Sequence, residues 1–115
     1  MADLEVVKKD VVKKSIDSLG DIIFKIILFG SYARGDFEDD SDVDIMFLLN
    51  CPRVDLPKYR KCLSTVSSDA SLENNVTVTL IVNDKDTFYS KMSILPFYQN
   101  VQKDGVVLYE QRWWC

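Results

Sequence analysis

The residues best suited to chemistry lie in one stretch, Gly30-Ser31-Tyr32-Ala33-Arg34-Gly35-Asp36, followed after five residues by Asp42-Val43-Asp44. Ile22 to Phe29 reads as a strand. A strand that ends in Gly-Ser and turns straight into a helix leaves backbone N–H groups unpaired at the helix start. Those amides and the helix dipole suit a phosphate. Glycine lets the backbone approach the anion with no Cβ in the way, and the Ser31 hydroxyl adds a donor. Asp42 and Asp44 sit two apart on a predicted strand, so both project from one face while Val43 and Ile45 turn to the core. Two carboxylates side by side repel and raise one another's pKa until a cation lies between them. Mg²⁺ meets that need, because it binds through one or two carboxylates plus substrate phosphates. The Asp36–Ser41 loop brings the turn and the strand to one sheet edge. Triphosphate on one side with Mg²⁺ on the other is what phosphoryl or nucleotidyl transfer requires.

Each part alone carries little. Gly-Ser at a strand end is usually only a turn, and Asp-x-Asp is more often a solvated strand end than a metal site. A lone Arg34 would be a surface partner of Asp36 or Glu38. In this order and spacing they make a joint signal.

The elements that must position these residues follow from periodicity. Leu4, Val7, Val11, Val12, Ile16 and Leu19 recur at helical spacing, and Gly20 can end that helix. Ser31 to about Phe37 is a short helical turn and Asp42–Leu49 the second strand. Asp55 can cap a second long helix that tolerates Pro57 in its first turn and carries Leu56, Tyr59, Leu63 and Val66 on one face. Val76–Val82 is dense in Val, Thr and Ile and reads as a third strand. Asn83 or Asp84 caps a short helix with Phe88 and Met92. Pro96 opens another, Gly105 closes it, and Val106–Tyr109 makes a last strand. The order is α-β-α-β-α-β-α-α-β, an α/β (α+β) domain with a mixed sheet flanked by helices, expected as one domain over 1–115. Trp113-Trp114-Cys115 is an apolar tip, read here as a protein contact in preference to packing on the core.

Composition narrows the function classes. With 47% hydrophobic and 28% charged residues in 115, the chain has the make-up of an ordinary globular protein. No apolar run is long enough to span a bilayer, and Met1-Ala2-Asp3-Leu4-Glu5 lacks a signal-peptide pattern; a cytoplasmic location is the expectation. Cys51, Cys62 and Cys115 have no CxxC spacing and the chain has no histidine, which argues against a disulfide framework and a zinc site. Any general base must therefore be a carboxylate, a lysine, a water or the substrate. A net charge of −4 gives no global field for a long polyanion, so nucleic acid is not the expected partner. Lys8/Lys9, Lys13/Lys14 and Lys58/Arg60/Lys61 read as solvated helix faces.

Gly30-Ser31-x-Ala33-Arg34-Gly35 followed by Ser41-Asp42-x-Asp44 resembles the signature of the nucleotidyltransferase superfamily that includes DNA polymerase beta. More closely, it resembles the minimal nucleotidyltransferases of bacteria and archaea. The motif is short, but the element order is compatible with the family fold over nearly the whole chain. The resemblance implies a nucleotidyltransferase fold, with Gly30, Ser31, Arg34 and Ser41 at the nucleotide and Asp42 and Asp44 as catalytic metal ligands for Mg²⁺. ATP is the implied substrate. It also implies a helical HEPN-type protein partner, with the chain as antitoxin of a pair, some members adenylylating the toxin; a homo-oligomer stays open.

One departure matters. Active members place a third carboxylate on the strand beside Asp-x-Asp, and Val76–Val82 contains no Asp or Glu. Alternation puts Thr77, Thr79 and Ile81 on one face, so Thr77 or Thr79 stands where that acid is expected. Threonine can hold water but is no general base at neutral pH. Glu73, just before the strand, is a weak substitute. Two functions therefore stay open, an enzyme transferring a nucleoside monophosphate to an acceptor hydroxyl and an antitoxin that binds nucleotide or protein without catalysis.

Overall fold

A computed structural model describes residues 3–38 and 40–111. Its helices are α1 (Leu4–Leu19), α2 (Ser31–Arg34), α3 (Leu56–Asn74), α4 (Lys85–Lys91) and α5 (Pro96–Asp104). Its strands are β1 (Ile23–Phe29), β2 (Val43–Leu49), β3 (Val78–Asp84) and β4 (Val106–Glu110), and they alternate with the helices in the expected order. The tip Trp113-Trp114-Cys115 lies outside the described residues. Cys51 and Cys62 are free thiols. Among the described residues no helix is long and apolar enough to cross a membrane.

The strands form one mixed sheet in the order β3-β2-β1-β4. β1 is antiparallel to both β2 and β4, while β2 and β3 are parallel. A parallel pair cannot be joined by a hairpin, so α3 makes the crossover. Alternation along the strands then sorts the side chains. Ile26, Leu28, Ile45 and Phe47 point to the face covered by Val7 and Val11 of α1 and Leu63 and Val66 of α3. Ile27, Met46 and Leu48 point to the other face, under Phe88 of α4 and Val101 of α5. Each fully buried aliphatic or aromatic side chain contributes about 1.5–3 kcal/mol of transfer free energy, so burial on both faces holds β1 and β2 as the rigid centre.

Element ends differ from expectation in several places. α2 stops at Arg34, short of the expected Phe37, because Gly35 turns left-handed (φ 84°) and caps it. β2 starts at Val43, which leaves Asp42 one residue ahead of the ladder. β3 runs over Val78–Asp84 in place of 76–82, because α3 continues to Asn74 and Asn75 turns left-handed (φ 52°). The strand then extends through Asn83 and Asp84, which pair with Leu48 and Leu49. Asp55 stands at the cap position of α3 but makes no side-chain cap bond, since a 3-10 turn over Arg53–Asp55 already places it in helical φ/ψ. Asp84 does cap its helix, accepting from the Thr87 N–H at 2.9 Å.

Candidate functional site

Phe29, the last residue of β1, pairs with Asp44 near the start of β2. That register delivers the chain leaving β1 directly onto the Asp44 carboxylate. Gly30 follows with φ 76° and ψ −155°, a region open essentially to glycine alone. A Cβ at this position would collide with Asp44 Oδ2 and lie 3.3 Å from Asp44 Cγ. Both the turn and the close approach therefore require glycine, and they set the start of α2 directly against a carboxylate.

The Gly30 carbonyl accepts from the N–H groups of Ala33 and Arg34, each at 3.1 Å, and that of Ser31 from Gly35 at 2.9 Å. The N–H groups of Ser31 and Tyr32 are thus first-turn donors without an intrahelical acceptor. Four residues build little macrodipole, so the attraction of α2 for an anion rests on these N–H groups and on Arg34.

Gly30, Ser31, Arg34 and Asp44 line one wall of a cleft of about 370 Å³, within the size range of small-molecule sites. Phe97, Asn100 and Asp104 of α5 form the facing wall. Gly105 lets α5 end there: a Cβ on it would strike the Val101 carbonyl oxygen and Ile27 Cγ2.

Partial burial pushes the Asp44 carboxyl above its ordinary value, the charge of Asp42 adds to the rise, and Arg34 opposes it. This is the electrostatic tension expected of two neighbouring carboxylates. Asp42 is exposed at the strand entry and does not line the cleft. Ser41 is also outside it, closing the loop by accepting from the Glu38 N–H at 2.8 Å. The loop's other anchor is Tyr32 stacked on Phe37, centroids 4.3 Å apart and 9° from parallel. Arg34 donates from Nε to Asp36 at 3.2 Å, with both side chains about half exposed or more, so it lines the cleft while holding the surface partner its sequence position suggested.

Thr79 pairs in register with Asp44 on the neighbouring strand, on the same face and exposed. Thr77 precedes β3 and offers its carbonyl to the Val43 N–H. Glu73 pairs with Lys14 at 3.1 Å, in the helix layer that covers the opposite face of the sheet, so it does not reach Asp44. Among the described residues no group of three or more His, Cys, Asp or Glu side chains is assembled to hold a metal. Asp44, with Asp42 at the strand entry, fits Mg²⁺ only if phosphate oxygens complete its shell.

The α5 wall had no counterpart in the sequence motif. Its one signal was the spacing of Phe97, Asn100 and Asp104 at i, i+3 and i+7, which any helix face can show.

The nucleotidyltransferase domain family model matches residues 9–107. The candidate protein adenylyltransferase MJ0141 of Methanocaldococcus jannaschii is 32% identical over 109 residues, covering 92% of this chain and 98% of that protein. A toxin–antitoxin structure with AMP-PNP superposes with a TM-score of 0.61 at 20% identity, over 91% of this chain and 74% of that one. A tri-AMPylated Shewanella oneidensis HEPN toxin in complex with its MNT antitoxin gives 0.59 at 16% identity, over 95% and 74%.

Proposed function

The chain belongs to the nucleotidyltransferase domain family, and on that footing we propose that it binds ATP with Mg²⁺ and transfers AMP to a hydroxyl of a partner protein. The observation that carries this reading is the contact of Gly30 with Asp44, which sets backbone donors for a phosphate against a partly buried carboxylate raised above its ordinary pKa. The name of the Methanocaldococcus relative supports adenylyl transfer to protein. A HEPN-type toxin as the partner is supported by the antitoxin complexes that share the fold.

In this reading the Ser31 and Tyr32 N–H groups and the Ser31 hydroxyl bind the phosphates, and Arg34 offsets their charge. Asp44 and Asp42 would hold Mg²⁺, which would supply charge neutralisation at the triphosphate. The acceptor oxygen bonds to the α-phosphorus as the bond to pyrophosphate breaks, and the hydroxyl proton passes to a carboxylate or to water.

A second reading is favoured by Thr79 alone. With threonine beside Asp44 where an acid would activate the acceptor, the chain would be an antitoxin that keeps nucleotide binding and lacks catalysis. The test is to incubate the protein with Mg-ATP and a HEPN-type protein encoded beside it, then weigh both by intact-mass spectrometry. A gain of one or more AMP units on the partner, lost in Asp42→Asn/Asp44→Asn, supports the enzyme. Unchanged masses with Mg-dependent ATP binding support the second reading. Absence of any Mg-nucleotide binding would sink both.

A further inference from the structure

We propose that the α5 wall is the nucleoside half of the cleft, with Phe97 as a platform for the base and Asn100 as the residue that selects adenine over guanine. This rests on the reading that the cleft takes a Mg-bound nucleoside triphosphate.

The two walls differ in chemistry. The Gly30–Arg34 wall offers N–H donors, a hydroxyl and a guanidinium suited to phosphate, beside the Asp44 carboxylate. The α5 wall offers an aromatic ring, a neutral amide and the Asp104 carboxylate with no cationic side chain, so it suits the uncharged half of a nucleotide.

Phe97 opens that wall. It is 45% exposed although it lines a concavity. Its ring meets Phe29 at 5.7 Å between centroids and 82° between planes, a T-shaped contact that fixes its orientation. Phe29 in turn pairs with Asp44, which ties the platform to the strand pair that carries the opposite wall. Base stacking on an aromatic side chain needs only such a held, accessible ring.

Asn100 lies one helical turn further along the same face. A side-chain amide presents one acceptor and one donor group, which match the N6 amino group and N7 of adenine. The corresponding edge of guanine shows two acceptors, O6 and N7, so the Asn100 oxygen would face another oxygen there. Asp104, a further turn on, is an acceptor for ribose hydroxyls. Base, edge reader and sugar acceptor thus follow one another along a single helix face.

The test is calorimetric titration of the full chain with Mg-ATP, Mg-GTP and Mg-tripolyphosphate, with melting curves to verify folding. Phe97→Ala is expected to weaken ATP and GTP alike by roughly ten- to a hundredfold, with tripolyphosphate unchanged and Phe97→Tyr restoring most of the loss. Asn100→Ala is expected to bring the ATP-to-GTP affinity ratio towards one. Equal ATP affinity in wild type and Phe97→Ala would overturn the platform. A wild type that binds ATP and GTP equally, or an unchanged ratio in Asn100→Ala, would overturn the selectivity. Either result leaves the triphosphate site standing, whereas a wild type that binds neither ATP nor tripolyphosphate removes that site and the nucleoside subsite together.

Discussion

Replacing Gly30 with alanine brings two penalties into one residue. The backbone there sits at φ 76° and ψ −155°, and holding an L-residue in so sparse a region costs about 1–3 kcal/mol. The new Cβ also strikes Asp44 Oδ2; the escape is for Asp44 to swing off its rotamer, at about 0.5–1.5 kcal/mol. Together they amount to about 1.5–4.5 kcal/mol, a large share of the 5–15 kcal/mol typical of a domain's stability. At this chain length each kcal/mol moves the melting temperature by roughly 3–6 °C, so Gly30→Ala should melt about 5–27 °C lower. A double-mutant cycle with Asp44→Ala separates the two parts. Once the carboxylate is gone, the Gly30→Ala penalty should shrink by the collision part, about 0.5–1.5 kcal/mol, while the backbone part persists. In the protein that remains folded, displacement of Asp44 should abolish Mg-dependent nucleotide binding. A variant that melts within about 0.5 kcal/mol of wild type, or a cycle with zero coupling, would refute the packing of Gly30 on Asp44.

Other outcomes follow from the same electrostatics and contacts. The raised Asp44 carboxyl contributes stability that is full below its ordinary range near 4 and is lost as pH rises through the higher folded value. Asp44→Asn should therefore stabilise the metal-free protein above that range by up to about 1 kcal/mol after solvent screening, visible as a flatter dependence of melting temperature on pH. Asp84 has the opposite sign: burial draws its carboxyl up, but hydrogen bonds from Thr87 and Arg53 outweigh this and hold it below the ordinary value. Its contribution is full above that value and lost as pH falls through the depressed one, so Asp84→Ala should cost about 1 kcal/mol near neutrality and less in acid. Thr79→Asp puts an acid beside Asp44 at a solvent-exposed position; AMP transfer measured by mass should rise by about 10²–10⁴-fold, the usual value of a general base. No gain at any pH would mean that Thr79 is not what limits the chemistry.

Much of the architecture was legible because it is written in local periodicity. The α1 stripe through Val7 and Val11 and the apolar runs of β1 and β2 need no long-range information to read, and both are buried as expected. The end of α3 was not legible in the same way. Val76 and Thr77 have strong strand propensity, yet Asn75 takes a left-handed turn and the ladder with β2 begins at Val78; register against a neighbour, which propensity does not encode, set the boundary. Asp55 shows the same limit, since a cap depends on the φ/ψ of its own residue and the turn before it had already decided that. In the site, Gly30, Ser31, Arg34 and Asp44 come together because they flank a single antiparallel pair. Phe97, Asn100 and Asp104 reach the cleft only through the packing of α5 on β1, about sixty residues later in the chain. A helix face of mixed polarity carries no mark of what it faces.

The placement of Thr79 also bears on how the two halves of such a site depend on each other. Asp44 already lies above its ordinary pKa from partial burial and one neighbouring charge, and a third carboxylate on β3 would add to that repulsion in the metal-free state. Threonine at this position relieves the metal-free protein of that cost. It also leaves two carboxylates where a hard cation wants six oxygens. With no group of three acids assembled among the described residues, the Mg-ATP reading draws the missing oxygens from phosphate and water. Metal and nucleotide would then enter as one unit, each weak without the other, and the cleft would be selective for a polyphosphate over a free ion. Under the Mg-ATP reading, threonine at position 79 would thus exchange a catalytic acid for stability in the metal-free protein and for coupling between metal and nucleotide.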